Sequence, residues 1–253
     1  LSAPTPWLGS VTVSNATLTM SNWDTLLSAT NLTIRSKGVV TCAGSFTNNA
    51  MTNRVNIVCT NLTIEAGGSI NVTGKGWAGG VHEGVAYTPG HGPGAGSSYY
   101  GASHGGGGRL GTSLAFYRTN VYGSATAPMH PGSGGHAGAA AGSRGGSGGG
   151  AVRLVAASVV VNGSINADAS GASLWGIHNT GGSGGSVYIS CSTIAGAGVI
   201  TANGSAGFDQ GGGGGGGRIA VVYDAAEQEG LPVPSLFVSA APGLSGAQYH
   251  GLP

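Results

Sequence analysis

The chain has 253 residues with 53 glycines, only 7% of its residues are charged, and its formal net charge is +1. This composition excludes a nucleic-acid binder, which needs a basic face to neutralise phosphates. It also excludes an intrinsically disordered chain, because 40% of the residues are hydrophobic. No apolar run approaches the roughly 20 residues of a membrane-spanning helix, so no membrane span is predicted. Lys, Glu and Arg, which usually fill exposed helix faces, are scarce. We therefore predict an all-β chain, with Asp224–Glu229 as the best helix candidate.

Residues 1–75 are predicted to form N-terminal β-coils. Short apolar strands alternate there with glycine, and one pair of strands repeats the pair before it at a constant offset, from Leu32 to Leu62. The strands are Ser10–Met20, then Leu32–Ile34 with Gly38–Gly44, and Leu62–Ile64 with Gly68–Gly74. Strand repeats with a period of 20 to 50 residues indicate stacked coils, in which each copy buries its apolar face against the next.

Residues 76–150 are predicted to be a glycine-rich insertion. Glycine recurs there at every third residue in two runs, namely Gly132, Gly135, Gly138 and Gly142, Gly145, Gly148. Three residues per turn is the geometry of the polyproline II helix, and glycine, unlike proline, keeps an N–H that can bond to a neighbouring segment. We therefore predict packed polyglycine II-like columns. A phosphate-binding loop is not expected, because Gly74-Lys75-Gly76-Trp77 departs from the P-loop pattern.

Residues 151–253 are predicted to form C-terminal β-coils with glycine-rich crossovers, continuing the same structural unit. Three strands align as copies of one repeat, namely Ala151–Val155, Ser186–Ser190 and Arg218–Val222. The tract Gly211–Gly217 is predicted to be one ordered glycine helix that returns the chain to the next coil. The pattern favours a parallel β-helix or β-solenoid-like fold, and an antiparallel β-sandwich is the alternative.

Several short motifs follow one another in order between about residues 30 and 223. They include Gly74-Lys-Gly76, Gly132-Ser-Gly-Gly135, Ala151-Val-Arg-Leu154, Ser186-Val-Tyr-Ile189 and Gly214-Gly-Gly-Gly-Arg-Ile-Ala-Val-Val-Tyr223. This order resembles a glycine-rich module of large, mostly uncharacterised bacterial surface and secreted proteins. The resemblance implies a location outside the cell or on its surface, and it implies no known enzymatic activity.

The residues that could carry chemistry form no catalytic pattern. Asp168 and Asp209 are the acids that stacked coils could bring together, as cleavage of a polysaccharide by two carboxylates would require. His104, His130 and His136 are candidate metal ligands, but their spacing matches no zinc motif. We therefore expect no enzyme, no cofactor and no bound metal.

The cysteines and tryptophans leave alternatives open. The chain has three cysteines, Cys42, Cys59 and Cys191. Buried free thiols are expected, with a Cys42–Cys59 disulfide as the alternative in an oxidising compartment. Trp77 and Trp175 are candidates for an interface or a glycan contact, because Trp is enriched at interfaces. Packing over glycine segments is the simpler alternative.

The function that we expect is that of an extracellular structural protein. Stacked coils without caps present unpaired strand edges, and a head-to-tail contact that does not close generates a filament. A terminal strand could also complete a neighbouring copy. The expected partner is therefore another copy of the chain, in a filament, fibre or sheath. The first alternative is a cell-surface adhesion module that binds glycans, and behind it comes a polysaccharide-active β-helix enzyme.

Overall fold

The computed structural model describes residues 1–47, 50–84, 88–111, 120–173 and 175–246. Within those ranges the regular structure consists of twelve strands and one short helix. In chain order the elements are β1 (Leu8–Val13), β2 (Thr17–Met20), β3 (Leu27–Ile34), β4 (Val39–Cys42), β5 (Val55–Ile64), β6 (Ser69–Asn71), β7 (Ala151–Val161), β8 (Ser164–Asn166), β9 (Ser186–Ala195), β10 (Val199–Thr201), β11 (Arg218–Tyr223), α1 (Ala225–Gln228) and β12 (Phe237–Ser239).

The strands form two parallel six-stranded sheets that the chain visits alternately. The odd-numbered strands form sheet A in the order β1-β3-β5-β7-β9-β11, and the even-numbered strands form sheet B in the order β2-β4-β6-β8-β10-β12. The prediction of an all-β chain is confirmed. The antiparallel β-sandwich is wrong as an alternative, because every strand pair in both sheets is parallel.

The strand register follows the sequence repeats. Leu32 pairs with Leu62, which confirms the alignment of the two N-terminal copies. Val152 pairs with Val187, and Val187 pairs with Ile219, which confirms the alignment of the three C-terminal copies. Because side chains alternate between the two faces of a strand, these pairings place apolar residues in line on the same face of each sheet.

The hydrophobic core is built from the apolar columns of the two sheets. The largest fully buried side chains include Ile34 and Ile64 in sheet A, and Ile70, Ile165 and Ile200 in sheet B. Burying such a side chain fully contributes about 1.5–3 kcal/mol. We call one strand of sheet A, together with the strand of sheet B that follows it, a coil. Each coil therefore gains stability by covering the apolar side chains of the coil beside it.

The glycine-rich insertion leaves the stack after β6 and returns to it at β7. β5 pairs directly with β7, and β6 pairs directly with β8, although residues 76–150 lie between them in the sequence. The strands before and after the insertion therefore belong to the same two sheets.

The glycine-rich segments lie side by side and are joined by backbone hydrogen bonds. The N–H groups of Gly212 and Gly215 donate to the carbonyls of Tyr99 and Ala102 at 2.9 and 2.8 Å. The carbonyls of the same two glycines accept from N–H groups of the segment 181–184, at 2.9 and 3.0 Å. The partners advance by three residues on every segment, so the hydrogen bonds repeat every third residue.

Gly214 shows why these positions are glycine. Its N–H donates to the carbonyl of Ser205 at 2.9 Å, and its own carbonyl accepts from the N–H of Gly243 at 2.8 Å. A Cβ atom built on Gly214 would collide with the backbone carbonyl of Gly182. The tract 211–217 is therefore buried and ordered, and it lies too close to its neighbours for any side chain at this position.

Candidate functional site

Both sheets end in strands that pair with another strand on one side only, although on the outer side of β2 the N-terminal NH3⁺ of Leu1 donates to the carbonyl of Thr19 at 2.6 Å. β1 and β11 are the terminal strands of sheet A, and β2 and β12 are those of sheet B. We call the edges of β1 and β2 the N-terminal end of the stack, and those of β11 and β12 its C-terminal end. The unpaired N–H and C=O groups along such edges are a template for a further strand. The described part of the chain therefore offers two open ends, which we take as the candidate site.

The C-terminal end is markedly apolar. Of the 13 large hydrophobic side chains that are exposed in the described residues, seven lie between residues 222 and 244. They are Val222, Tyr223, Leu231, Val233, Phe237, Val238 and Leu244. Val238 continues the buried column of Ile200, with which it pairs, yet 50% of its surface is exposed. The core thus ends here without a covering layer.

A long acidic loop, residues 224–236, joins the last two strands. It is more than three times as long as any of the turns that join the corresponding strands of the other coils. Asp224 caps α1, and its carboxylate accepts two backbone N–H groups at 2.9 and 3.3 Å. Gln228 Oε1 accepts from the N–H of Ile194 at 2.8 Å, which ties the loop to β9. The loop carries Asp224, Glu227 and Glu229 and no basic residue. These are three of the eight acids in the sequence, within six positions, so the charge pattern could have drawn attention to this loop.

An apolar cleft of about 190 Å³ lies between the acidic loop and the end of sheet A. Its lining includes Ile194, Tyr223, Leu231 and Val233, the last of which is 88% exposed. The Nε2 atom of Gln228, which also lines the cleft, is buried and has no hydrogen-bond partner in the described residues. The C-terminal end therefore has an apolar recess beside its open strand edge.

Charged groups of both signs lie near the N-terminal end. Leu8 and Val11 of β1 are half-buried and pack against the core. Arg35 and Lys37 lie in the turn between β3 and β4, one coil inward. The Nε atom of Arg35 is 3.7 Å from Oε1 of Glu65 on the next turn, and both side chains are largely exposed. Asp24 lies between β2 and β3, nearer to this end in the strand order than either cation, so the N-terminal end has charges of both signs whereas the loop at the C-terminal end is acidic.

Trp77 is in the interior and offers no surface to a glycan or a partner. It is 5% exposed, and its ring packs edge-on against Phe46 with 4.6 Å between the ring centroids. A side chain at Gly92 would run into the indole. Trp77 is therefore not the interface or glycan contact that the sequence suggested as one possibility. Its indole fills space that the neighbouring glycines, which have no side chains, leave open.

Trp175 is 72% exposed. The backbone N–H of Trp175 donates to Ser173 Oγ at 3.2 Å, and its backbone carbonyl accepts from Asn179 Nδ2 at 2.7 Å. Asn179 is fully buried. The backbone that carries the exposed indole is therefore anchored on the interior, and Trp175 remains a candidate contact.

The candidate disulfide is not formed, since Cys42 and Cys59 are free thiols on strands of opposite sheets. Cys42 pairs with Met20 in sheet B, and Cys59 pairs with Ala29 and Ala156 in sheet A. Burial raises the pKa of the Cys42 thiol to about 12 and that of the Cys59 thiol to about 11. Both cysteines act as small apolar core residues.

The six glycines of the predicted columns differ in their surroundings. Four donate backbone hydrogen bonds of 2.7 to 3.0 Å to neighbouring segments, namely Gly132 to Gly149, Gly135 to Gly146, Gly145 to Gly80 and Gly148 to Trp77. Gly138 donates instead to the side-chain Oδ1 of Asn179 at 3.0 Å. Gly142 lies in a turn with a φ of 84°. The polyglycine II geometry of the columns stays a prediction.

His104 is a buried, neutral structural residue. Its Nδ1 lies 2.8 Å from the carbonyl of Gly184, and because a carbonyl can only accept, this nitrogen carries a proton. Burial lowers the pKa of His104 to about 4, against the raising effect of that hydrogen bond. His130 lies near His104 around the ring of Tyr122, whereas the backbone N–H of His136 bonds to Thr180 Oγ1 at 2.6 Å. The structure thus brings two of the three candidate histidines together.

In the described residues no hydrogen bond joins the two candidate acids, Asp168 and Asp209, as a catalytic pair. Asp168 accepts from Thr201 Oγ1 at 2.8 Å and from the N–H of Asn203 at 2.6 Å, which joins adjacent coils of sheet B. The backbone carbonyl of Asp209 accepts from the N–H of His178 at 2.9 Å. In the described ranges, no group of three His, Cys, Asp or Glu residues is placed to hold a metal ion.

The chain matches no protein-family profile, no curated protein and no solved structure. In the described part of the chain, no helix is long and apolar enough to span a bilayer. The open ends of the two sheets are therefore the feature from which the function is argued.

Proposed function

We propose that this chain is an extracellular structural protein whose copies stack head to tail into a filament, fibre or sheath. The observation that supports this most directly is the pair of open ends. At each end both sheets stop in a strand with one free edge, and the C-terminal end also leaves the core uncovered at Val238. A second copy would supply both the missing strands and the missing apolar layer.

The architecture that we propose for the filament is a continuous β-solenoid flanked by polyglycine II segments. In the first five coils a short turn joins each strand of sheet A to the following strand of sheet B, and longer segments return the chain to sheet A. The hydrogen bonds of Gly212 and Gly215 to neighbouring segments recur every third residue, as polyglycine II packing requires. Both arrays are periodic, so each could continue from one copy into the next.

The two ends are compatible in length and direction. β1 and β11 each have six residues, and every strand of the sheets is parallel to its neighbour. In-line stacking would place Thr17 of β2 beside Phe237 of β12 and continue sheet B, whereas β1 and β11 would meet only where Leu8 lies beside Tyr223. The half-buried Leu8 would then cover the exposed Tyr223, with which it is in line through the register of sheet A.

Charge favours the head-to-tail direction over a symmetric contact. The acidic loop carries three carboxylates and no cation, and Arg35 and Lys37 lie one coil from the N-terminal end. Contact between two C-terminal ends would juxtapose two acidic loops, whereas the N-terminal end offers Arg35 and Lys37 as well as Asp24. Complementary charge of this kind selects orientation more than it adds affinity.

The extracellular location belongs to the proposal and comes from the resemblance of the ordered motifs to a module of bacterial surface and secreted proteins. No enzymatic activity is proposed. Removal of the chain from intact cells by an added protease would support the location, and full protection until the cells are lysed would contradict it.

Electron microscopy of the purified chain tests the assembly. Each copy contributes six strands to each sheet, and strands are spaced about 4.8 Å apart, so the axial repeat should be roughly 29 Å. Regular fibres with that repeat are expected. Dispersed monomers at every concentration tested, or fibres whose repeat does not fit six strands, would contradict head-to-tail stacking.

A matched pair of variants locates the contact. Val238 is 50% exposed at the C-terminal end, and Thr60 is also exposed but lies in β5, which pairs with strands of sheet A on both sides. Val238→Asp places a carboxylate at the C-terminal end and should abolish fibres, whereas Thr60→Asp should leave them intact. Circular dichroism should show the same β content for both variants, so that loss of fibres is not loss of folding.

A further inference from the structure

A groove of about 420 Å³ opens among the glycine-rich segments. Its walls come from the segments 78–81, 144–147 and 170–173, with Ser45 at one side. None of its lining residues belongs to β1, β2, β11 or β12, so the groove is separate from the open ends. Its volume lies within the range of about 300 to 1,000 Å³ that is usual for small-molecule sites.

The lining is hydroxyl-rich and nearly uncharged. It consists mainly of glycine, alanine and serine, and its single charged residue is Arg144. Ser147 Oγ accepts from the N–H of Gly79 at 3.2 Å, and Ser170 Oγ accepts from the N–H of Ser147 at 3.0 Å. A hydroxyl has one donor and two acceptor sites, and neither hydroxyl donates within the described residues. Each can therefore both donate to a ligand and accept from it.

The exposed indole of Trp175 lies beside this groove. Ser173 lines the groove, and its Oγ accepts from the backbone N–H of Trp175 at 3.2 Å. The indole also lies 3.5 Å from the position of a Cβ on Gly142, two residues before Arg144. An aromatic face is apolar and flat, so the site combines a platform for C–H groups with a row of hydroxyls and one cation.

We propose that this groove and Trp175 bind an oligosaccharide that carries carboxylate groups. The C–H face of one sugar ring packs on the indole of Trp175. The hydroxyls of the next rings exchange hydrogen bonds with Ser147 and Ser170, and a sugar carboxylate pairs with the guanidinium of Arg144. The site does not depend on stacking of copies, and a filament that bears it would hold acidic polysaccharide along its length.

Isothermal titration calorimetry of the full chain with trigalacturonate tests the site, with maltotriose as the uncharged comparison. Saturable binding of trigalacturonate is expected, with maltotriose bound at least about fivefold more weakly, because charge-assisted hydrogen bonds are stronger than neutral ones. Trp175→Ala should weaken binding of trigalacturonate about tenfold through loss of the stacking face. Arg144→Gln should remove the preference between the two sugars.

Two control variants separate the site from a general effect of surface changes. Trp7 is also strongly exposed, and its Nε1 bonds to Thr30 at 3.0 Å in sheet A, outside the groove. Trp7→Ala and Arg35→Gln should therefore leave both affinities unchanged. Absence of saturable binding, or equal loss of affinity in Trp175→Ala and Trp7→Ala, would overturn the site. Equal affinity of the unaltered chain for the two sugars would overturn its assignment to acidic saccharides.

Discussion

Substitution of Gly214 by alanine tests whether the glycine tract is a packed part of the fold. Gly214 is surrounded by backbone, since its N–H bonds to Ser205, its carbonyl bonds to Gly243, and an added Cβ would meet Gly182 and the N atom of Ser183. These atoms belong to neighbouring glycine-rich segments and cannot rotate away as a flexible side chain could. The methyl group must therefore push segments apart.

The expected cost follows from two contributions. Overpacking of a well-packed interior costs about 1–3 kcal/mol, and the two hydrogen bonds of Gly214 are worth about 1 kcal/mol each when they are lost. Gly214→Ala should thus lower the free energy of unfolding by about 3–5 kcal/mol. In a domain of this size 1 kcal/mol moves the Tm by about 2–4 °C, so the Tm should fall by roughly 6–20 °C.

Gly44 provides the matched control, because a Cβ built on it meets no atom within 4 Å. Gly44→Ala should leave the Tm within about 2 °C of the unaltered chain, since surface substitutions of this kind usually change stability by less than about 0.5 kcal/mol. Thermal unfolding followed by circular dichroism measures both variants. If Gly214→Ala and Gly44→Ala unfolded at the same temperature, the tract would be a loose spacer and the reasoning would be refuted.

Three further predictions concern protonation and side-chain contacts. The unfolded chain binds a proton at His104 near pH 6.5, and the folded chain only near pH 4, so the free energy of unfolding should fall by up to about 3 kcal/mol as the pH drops between these values. Urea titrations at several pH values measure this, and a His104→Asn variant that kept the same pH dependence would exclude His104 as its source. Cys191, which is half-buried, should react with an aromatic disulfide reagent at pH 8 before Cys42, because burial keeps the Cys42 thiol protonated. Equal reaction rates of the two thiols in the native chain would contradict the packing of Cys42. Asp168→Ala should cost about 2–4 kcal/mol, because two hydrogen bonds to a carboxylate are lost, and an unchanged Tm would show that these bonds add nothing to the stack.

The strands and their register could be predicted because each coil repeats the residues of the one before. Leu32 and Leu62 occupy the same place in successive copies, and the sheets pair them. The pairing of Leu62 with Val159 across the glycine-rich insertion has the same signal, because Gly68-Ser-Ile-Asn71 after the first strand recurs as Gly163-Ser-Ile-Asn166 after the second. An insertion can be lengthened at small entropic cost, so its length says nothing about where the chain returns.

Individual residues in the glycine-rich segments were harder to place. Spacing by three puts Gly142 in line with Gly145, but Gly142 lies in a turn with a φ of 84°, and a period in sequence does not separate turn from column. The sequence leaves Trp77 as a candidate interface residue, because indoles are common at interfaces, or as a residue packed over glycine segments. Its neighbours include glycines such as Gly92, which have no side chains, so the indole occupies the interior.

The stacking of copies and the saccharide groove can fail independently, and their separation in space shows why. The exposed apolar side chains between residues 222 and 244 lie at one end of the sheets, whereas the groove is lined by segments that pack beside them. A change at Val238 should therefore remove fibres and leave trigalacturonate bound, and a change at Trp175 should do the reverse. If the change at Val238 abolished both properties, binding would require an assembled end, and the groove could not be a site that each copy carries alone.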